Sequence, residues 1–365
     1  MRKNLLLLFF TILIVFGIVE AGYRVLDPFP HEFAWEVNDT EFGSAYQYDP
    51  LLGWAGIPNA AETDILPEGR YHIKNNSLGF RDIEHNQNTP SQKRIIFLGD
   101  SFTQGYLVEF DDMFVNLLRE KFPQYEIFNL AQRGYGTDQS SMAFKRFKDK
   151  GQLKTVVLMF SENDIDDNYM PMRYRKFKPR FKLQEGHLII TNVPIPRLQQ
   201  WDVYRTRKPL NKTKLKFADR IKEYIFHYSH FIHDASFRID NYSHPDKYND
   251  EDTKGAQESA QMKFYKVLLT QKIIETLNEE VNKNGGELLV AAIPSKKQFI
   301  KNLNYEPYQL PIQAACRELN VGYLDLAPYF QKAKLRAYNR IDGHWTKYGH
   351  RIAAEAIFNY LSSKN

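Results

Sequence analysis

The chain has 365 residues, 43% hydrophobic and 25% charged, with a formal net charge of +5. This is the composition of an ordinary globular protein, long enough for one large domain with insertions or two modest ones. Lys and Arg are spread along the whole length instead of forming one stripe, which argues against a nucleic-acid partner, and the single cysteine, Cys316, excludes an intrachain disulfide and a cysteine-built zinc site.

The first element is a targeting segment, residues 1–22. Arg2 and Lys3 precede an uncharged apolar run from Leu5 to Val19, broken only by Thr11 and Gly17. A basic flank followed by an apolar run marks a secretory signal or a signal anchor. The run is short against the roughly 20 residues of a bilayer span. Val19 and Ala21 suit cleavage, whereas Glu20 and Arg24 do not, so a cleaved signal and an uncleaved anchor both stay open. Either one exports everything after Gly22 and leaves the basic end on the cytoplasmic side. The protein is therefore expected outside the cytoplasm, anchored to the membrane or released.

Residues 23–90 are rich in Pro, Gly, Asn and aromatics and lack a helical period. Tyr46 to Trp54 and Tyr71 to Arg81 read as short strands and turns of an N-terminal extension. From residue 91 the pattern changes. The apolar runs 94–98, 126–130 and 155–160 each precede helix-like sequence, including residues 139–150, and the rhythm resumes at 287–293 and 321–326. Helices are expected over 258–283, closed by Gly285-Gly286, over 308–319 and over 346–362. Short continuous apolar runs alternating with helices indicate buried parallel strands, so the main domain, 91–365, is α/β. Cys316 lies in an apolar helical pattern and reads as a small buried hydrophobe. The stretch 166–256 interrupts the alternation with a hairpin over 180–194, turning at Glu185-Gly186, and an amphipathic helix over 212–233. Placed after the third strand, this insertion sits at the carboxyl edge of the sheet, where such sheets bind ligands, and is expected to act as a cap.

The chemistry-bearing residues fall at the strand ends. Gly99-Asp100-Ser101 closes the first strand, and by itself it is as well explained by a helix cap as by a nucleophile. Asn129 to Thr137, with Gly134, follows the second strand. Ser161-Glu162-Asn163-Asp164 follows the third, and Asp342-Gly343-His344-Trp345 precedes the last helix. These four blocks, in this order, resemble those of the SGNH (GDSL) hydrolase family over roughly 91–165 and 285–362. The resemblance implies a flavodoxin-like three-layer sandwich around a parallel five-stranded sheet. It also implies Ser101 as nucleophile and His344 as base, with an oxyanion hole of the Ser101 and Gly134 N–H groups and the Asn163 amide. Ester cleavage needs such a set: a nucleophile, a base for its proton and donors aimed at the developing oxyanion. Asp342 would orient the imidazole.

The chain departs from the family pattern in two places. The Asp stands two residues before the His instead of three, a spacing similar to that of related sugar O-acetyltransferases. In extended backbone, side chains two apart still share a side. Glu162 stands where many members have Gly. His350 is a rival base, but its place on the last helix suits burial. Asp100 is expected to hold the nucleophile turn and Asp164 to support it. Asp166, Asp167 and Asn168 lack the spacing of a calcium loop. His227, His230 and His233, three apart, lack the carboxylates of a metal site, so neither metal nor cofactor is expected. The basic start of that helix, Lys212 to Lys222, reads as a solvated face. Asn38, Asn75, Asn211 and Asn241 begin Asn-x-Ser/Thr triplets, which matter only in a glycosylating pathway. Tyr71 to Arg81 resembles a segment seen before the serine block in anchored bacterial members.

The sequence thus points to an extracytoplasmic serine esterase acting on an acylated small molecule or glycan, with acetyl as one candidate acyl group. An acyltransferase using a sugar hydroxyl in place of water, and an inactive glycan-binding module, stay open beside it.

Overall fold

The computed structural model describes residues 2–26, 45–66, 69–85, 92–147, 151–174, 176–196, 259–304, 307–339 and 342–364. The chain divides into two compact units, Met1–Glu36 with Gln199–Glu258, and Val37–Leu198 with Ser259–Asn365. In the first, the described residues form one helix, α1 (Arg2–Leu26). Its apolar side chains, among them Leu7, Phe9, Ile14 and Ile18, are exposed. Among the described residues, no helix is long and apolar enough to cross a membrane. The helix expected over 212–233, with His227, His230 and His233, lies outside the described residues, as do Asn38, Asn211 and Asn241.

The described residues of the second unit begin with two antiparallel hairpins, β1 (Tyr46–Asp49) with β2 (Gly53–Gly56), and β3 (Ala61–Leu66) with β4 (Gly69–Lys74). The central sheet then follows: β5 (Lys93–Leu98), β6 (Tyr125–Asn129), β7 (Gln152–Phe160), and later β12 (Glu287–Ala292) and β13 (Gly322–Asp325). Its order is β13-β12-β7-β5-β6 and every pairing is parallel. Because β6 lies on one side of β5 and β7 on the other, the winding reverses beside β5. That reversal opens a crevice at the carboxyl ends of the strands.

Strand periodicity of two explains the layering. Ile95, Phe97, Val157, Met159, Leu289 and Ala291 point to one face, where they meet α3 (Phe114–Lys121) and the last helix, α10 (Lys347–Ser362). Ile96, Leu98, Val156, Leu158, Val290 and Ala292 point to the other, covered by α4 (Thr137–Arg146), α6 (Ala260–Lys283) and α8 (Gln309–Glu318). Two short helices, α7 (Lys296–Ile300) and α9 (Ala327–Phe330), follow β12 and β13. Each large apolar side chain buried this way stabilises the fold by about 1.5–3 kcal/mol. Cys316 is one of these core groups, and burial pushes its thiol up to about 12.

Several boundaries differ from expectation for local reasons. α4 starts at Thr137 and ends at Arg146, because Phe147 returns to extended backbone. The helix expected to begin at the serine block is short: α2 (Ser101–Gln104) starts at the serine itself and ends on Gly105 in the left-handed conformation. After β7 come α5 (Asp164–Asp167) and a small hairpin, β8 (Met172–Arg173) with β9 (Lys176–Phe177). The hairpin expected at 180–194 is β10 (Arg180–Gln184) with β11 (His187–Thr191), turning on Glu185 and Gly186, both at positive φ. Phe181 fixes it onto Leu269 and Ile273 of α6.

The N-terminal extension is bonded into the loops at the sheet's carboxyl edge. Trp54 Nε1 donates to Arg133 O at 3.0 Å, and Tyr135 Oη donates to Trp54 O at 2.6 Å. The buried Arg81 guanidinium donates to carbonyls of His72 and Val108 at 2.7 and 2.8 Å, and also to Gly105 O. Arg81 therefore clamps the segment after α2. Asn75 is equally structural, its buried amide donating to Ala45 O and Ile57 O at 3.0 and 3.1 Å.

Candidate active site

Gly99 leaves β5 at φ +150°, where a Cβ would lie 2.4 Å from Thr103 Oγ1. Only glycine permits this sharp exit from strand to helix. Asp100 then caps α2, its Oδ1 accepting from Phe102 N at 2.9 Å. Ser101 is thus the first helical residue, and its N–H has no carbonyl one turn earlier to bond.

Ser101 Oγ lies 2.6 Å from His344 Nε2. On the far side of the ring, His344 Nδ1 bonds to Asp342 Oδ1, which also accepts from His344 N at 2.8 Å. The two-residue spacing therefore works: one carboxylate oxygen holds both the ring and the backbone of the same residue. Burial pulls Asp342 upward, but the adjoining imidazole and its hydrogen bonds outweigh that and hold the carboxyl below its ordinary value. An ionised Asp342 makes Nδ1 the protonated nitrogen and leaves Nε2 to accept from the serine hydroxyl. The loop is tied down by Asn339, whose N–H donates to His344 O at 2.8 Å, and by Lys296, whose Nζ donates to Asn339 O at 2.8 Å. Neither residue carried a sequence signal.

His350 is elsewhere. It faces inward on α10, its Nδ1 accepting from Phe114 N at 3.2 Å, and burial lowers its pKa to about 3. Between His344 and His350, only His344 meets the serine.

Gly134 sits in the turn Gln132–Tyr135, closed by Tyr135 N–H donating to Gln132 O at 3.1 Å. Its φ is +77°, and a Cβ would meet the Tyr174 ring at 2.4 Å and Trp54 at 3.4 Å. Gln132 N donates to Gly99 O at 3.3 Å, which brings this turn beside the nucleophile turn. Asn163 follows β7 in a turn closed by Asp164 N–H to Ser161 O at 3.2 Å, and Glu162 in place of glycine is accommodated there. The Asn163 amide is oriented at both ends: Oδ1 lies 2.8 Å from Ser161 Oγ, and Nδ2 donates to Asp167 Oδ2 at 2.7 Å. Ser161 Oγ is also 2.9 Å from Asp100 Oδ2, which joins the β7 turn to the nucleophile turn.

Behind the turns stand Asp100 and Asp164, where they were expected, and also Asp167, Lys178 and Arg173, which were not foreseen. Asp100, Asp164 and Asp167 are all buried. Burial pushes Asp100 up, and burial with the neighbouring charges of Asp100 and Asp167 pushes Asp164 well up. Burial raises Asp167 to about 6 against the opposing pull of Arg173 and Lys178. Lys178, itself fully buried, pairs with Asp138 and donates to Asp167 O at 2.6 Å. Asp166 faces Lys266 at 2.6 Å instead, so these carboxylates diverge. Among the described residues no His, Cys, Asp and Glu group suits a metal ion. Around the histidine, Phe102 and Tyr106 pack on the ring with centroids 4.7 and 4.9 Å away. Such aromatic contacts come from residues far apart in the chain or at irregular spacing, so no periodicity announces them.

A hydroxyl, an imidazole and a carboxylate in hydrogen-bonded series, at the carboxyl edge of a parallel sheet, form an arrangement suited to acyl transfer through a serine. The model of the GDSL-like lipase/acylhydrolase family matches residues 97–352, and the chain belongs to that family. Similar solved structures include the acetyl xylan esterase AlAXEase, 13% identical over 73% of this chain and 99% of that one, with a TM-score of 0.40. The psychrotrophic esterase EstA from Pseudoalteromonas sp. is 9% identical over 74% of this chain and 98% of that one, with a TM-score of 0.39. A two-domain esterase (CEX) active on acetylated mannans is 12% identical over 74% of this chain and 49% of that one, with a TM-score of 0.38. The comparison with curated proteins found no match.

Proposed function

We propose that this chain is an extracytoplasmic serine esterase that removes small acyl groups, acetyl first among them, from a glycan. The observation that carries the esterase chemistry is the 2.6 Å contact between Ser101 Oγ and His344 Nε2, with Asp342 on the opposite nitrogen. Ser101 Oγ attacks the ester carbonyl carbon while its proton passes to His344 Nε2. The carbonyl oxygen becomes an oxyanion facing the Ser101 and Gly134 N–H groups and the second hydrogen of Asn163 Nδ2, the first being held by Asp167. Collapse breaks the bond to the alcohol oxygen, which takes the proton from His344. Water then repeats the sequence on the acyl-enzyme, restores Ser101 and releases the acid.

The glycan part of the reading rests on the half-exposed ring of Tyr174 beside Gly134. Export rests on α1, whose exposed apolar length follows Arg2 and Lys3. To test the chemistry, the full chain is treated with a fluorophosphonate and assayed with p-nitrophenyl acetate and an acetylated oligosaccharide. Labelling of Ser101 and release of free acetate are expected. A folded protein that neither labels nor turns over is not an esterase. Appearance of acetate on an added sugar, in place of free acetate, would make it an O-acyltransferase.

A further inference from the structure

Asn163 has a primary amide whose two ends must not exchange if Nδ2 is to face an oxyanion. Its carbonyl end meets a donor, the Ser161 hydroxyl, at 2.8 Å, and its amino end meets an acceptor, Asp167 Oδ2, at 2.7 Å. A flipped amide would put Nδ2 against the Ser161 hydroxyl and Oδ1 against a carboxylate, an acceptor facing an acceptor. Asp167 is therefore the group that makes one orientation cheaper than the other. It is fully buried, and a buried carboxylate stays ionised only beside cations.

Those cations arrive from the small hairpin after β7. Arg173 Nη1, on β8, lies 3.2 Å from Asp167 Oδ1, and Lys178 Nζ, just after β9, donates to the Asp167 carbonyl at 2.6 Å. With Arg173 on Oδ1, any proton taken up by Asp167 goes to Oδ2, where it would face the Asn163 amino group, donor against donor. Burial raises Asp167 to about 6, and the two cations oppose that rise. At the other end of the chain of bonds, burial also favours the protonated form of Asp100. The Ser161 hydroxyl lies 2.9 Å from Asp100 Oδ2 as well as 2.8 Å from Asn163 Oδ1, so it joins the Asn163 amide to the nucleophile turn.

We propose that Asp167, held by Arg173 of the β8–β9 hairpin, is the positioning residue that aims the Asn163 amide at the oxyanion. The inference rests on the esterase reading above and assigns a task to the start of the inserted segment: its first hairpin acts on catalysis from behind the oxyanion hole.

The test is a double-mutant cycle on the full chain with p-nitrophenyl acetate. Asn163→Ala alone is expected to lower kcat by about 10²–10³-fold. Asp167→Ala alone is expected to lower kcat by about 10–100-fold with KM within about twofold, since misaimed machinery loses rate more than binding. Asp167→Asn, which keeps an accepting oxygen, should retain part of that rate. In the Asn163→Ala background, Asp167→Ala should cost less than about twofold, because its effect passes through the missing amide. Should the Asp167 variants fail to fold, Arg173→Met completes the same cycle from the more accessible partner. Equal losses in both backgrounds, or a loss confined to KM, overturn the positioning role while leaving the esterase reading intact. A folded wild type without turnover overturns both.

Discussion

His344 and His350 lie six residues apart, one in the loop before α10 and the other on its inner face. His344 keeps one side toward Ser101 and the other toward Asp342. His350 is enclosed by Phe114 and Trp345, and burial lowers its pKa to about 3 from an unfolded value of 6.5. Between those values the unfolded chain binds the proton and the folded chain does not, so stability rises with pH. The contribution is complete above about pH 6.5 and is lost as pH falls toward 3. His350→Gln keeps an acceptor for Phe114 N–H and cannot charge. Urea unfolding at pH 7.5 and 4.5 should show the wild type losing on the order of 2 kcal/mol relative to the variant at the lower pH. An unchanged difference between the two proteins would mean that His350 titrates normally. Asp167 acts with the opposite sign. Its raised value means that the folded chain holds a proton between about pH 4 and 6 that the unfolded chain releases, so only the paired comparison isolates the histidine.

At the scale of elements, the site is built from turns that leave parallel strands, and each turn depends on a close approach. The Gly134 turn is pressed between Tyr174 of the β8–β9 turn and Trp54 of β2. Gly134→Ala introduces a methyl 2.4 Å from the Tyr174 ring at a φ of +77°. Both effects displace the turn, so kcat for p-nitrophenyl acetate should fall by about 10²-fold. Adding Tyr174→Ala removes the collision but leaves the backbone cost, about 1–2 kcal/mol, and should restore activity only in part. Full restoration would show that the conformation is unstrained, and no restoration would show that the ring is not the obstacle. The location of these turns was legible beforehand, because apolar runs ending in Gly99, Leu130 and Phe160 mark strand ends. The pressure on them was not, since it comes from the extension and the insertion, whose short strands carry no strong period.

For the whole molecule, α1 and the catalytic sheet belong to different compact units. If α1 serves export and anchoring, deleting residues 1–26 should move the protein from the membrane to the soluble fraction. The kcat/KM for p-nitrophenyl acetate should change by less than about twofold, since Ser101, His344, Asp342, Gly134 and Asn163 all belong to the other unit. Retention in the membrane fraction after deletion would place the attachment elsewhere. By itself the sequence determined the α/β class, the five strands and the four blocks at their ends. Those features are local: periodicity, strand length and turn chemistry are properties of neighbours in the chain. Only the tertiary structure decided which histidine meets Ser101, that one Asp342 oxygen serves both the ring and backbone of His344, and that Asp167 and Arg173 stand behind Asn163. These are contacts of aimed side chains across turns and crossovers. A sequence states which groups are available, but the angles at which strands and loops deliver them are set by how the layers pack.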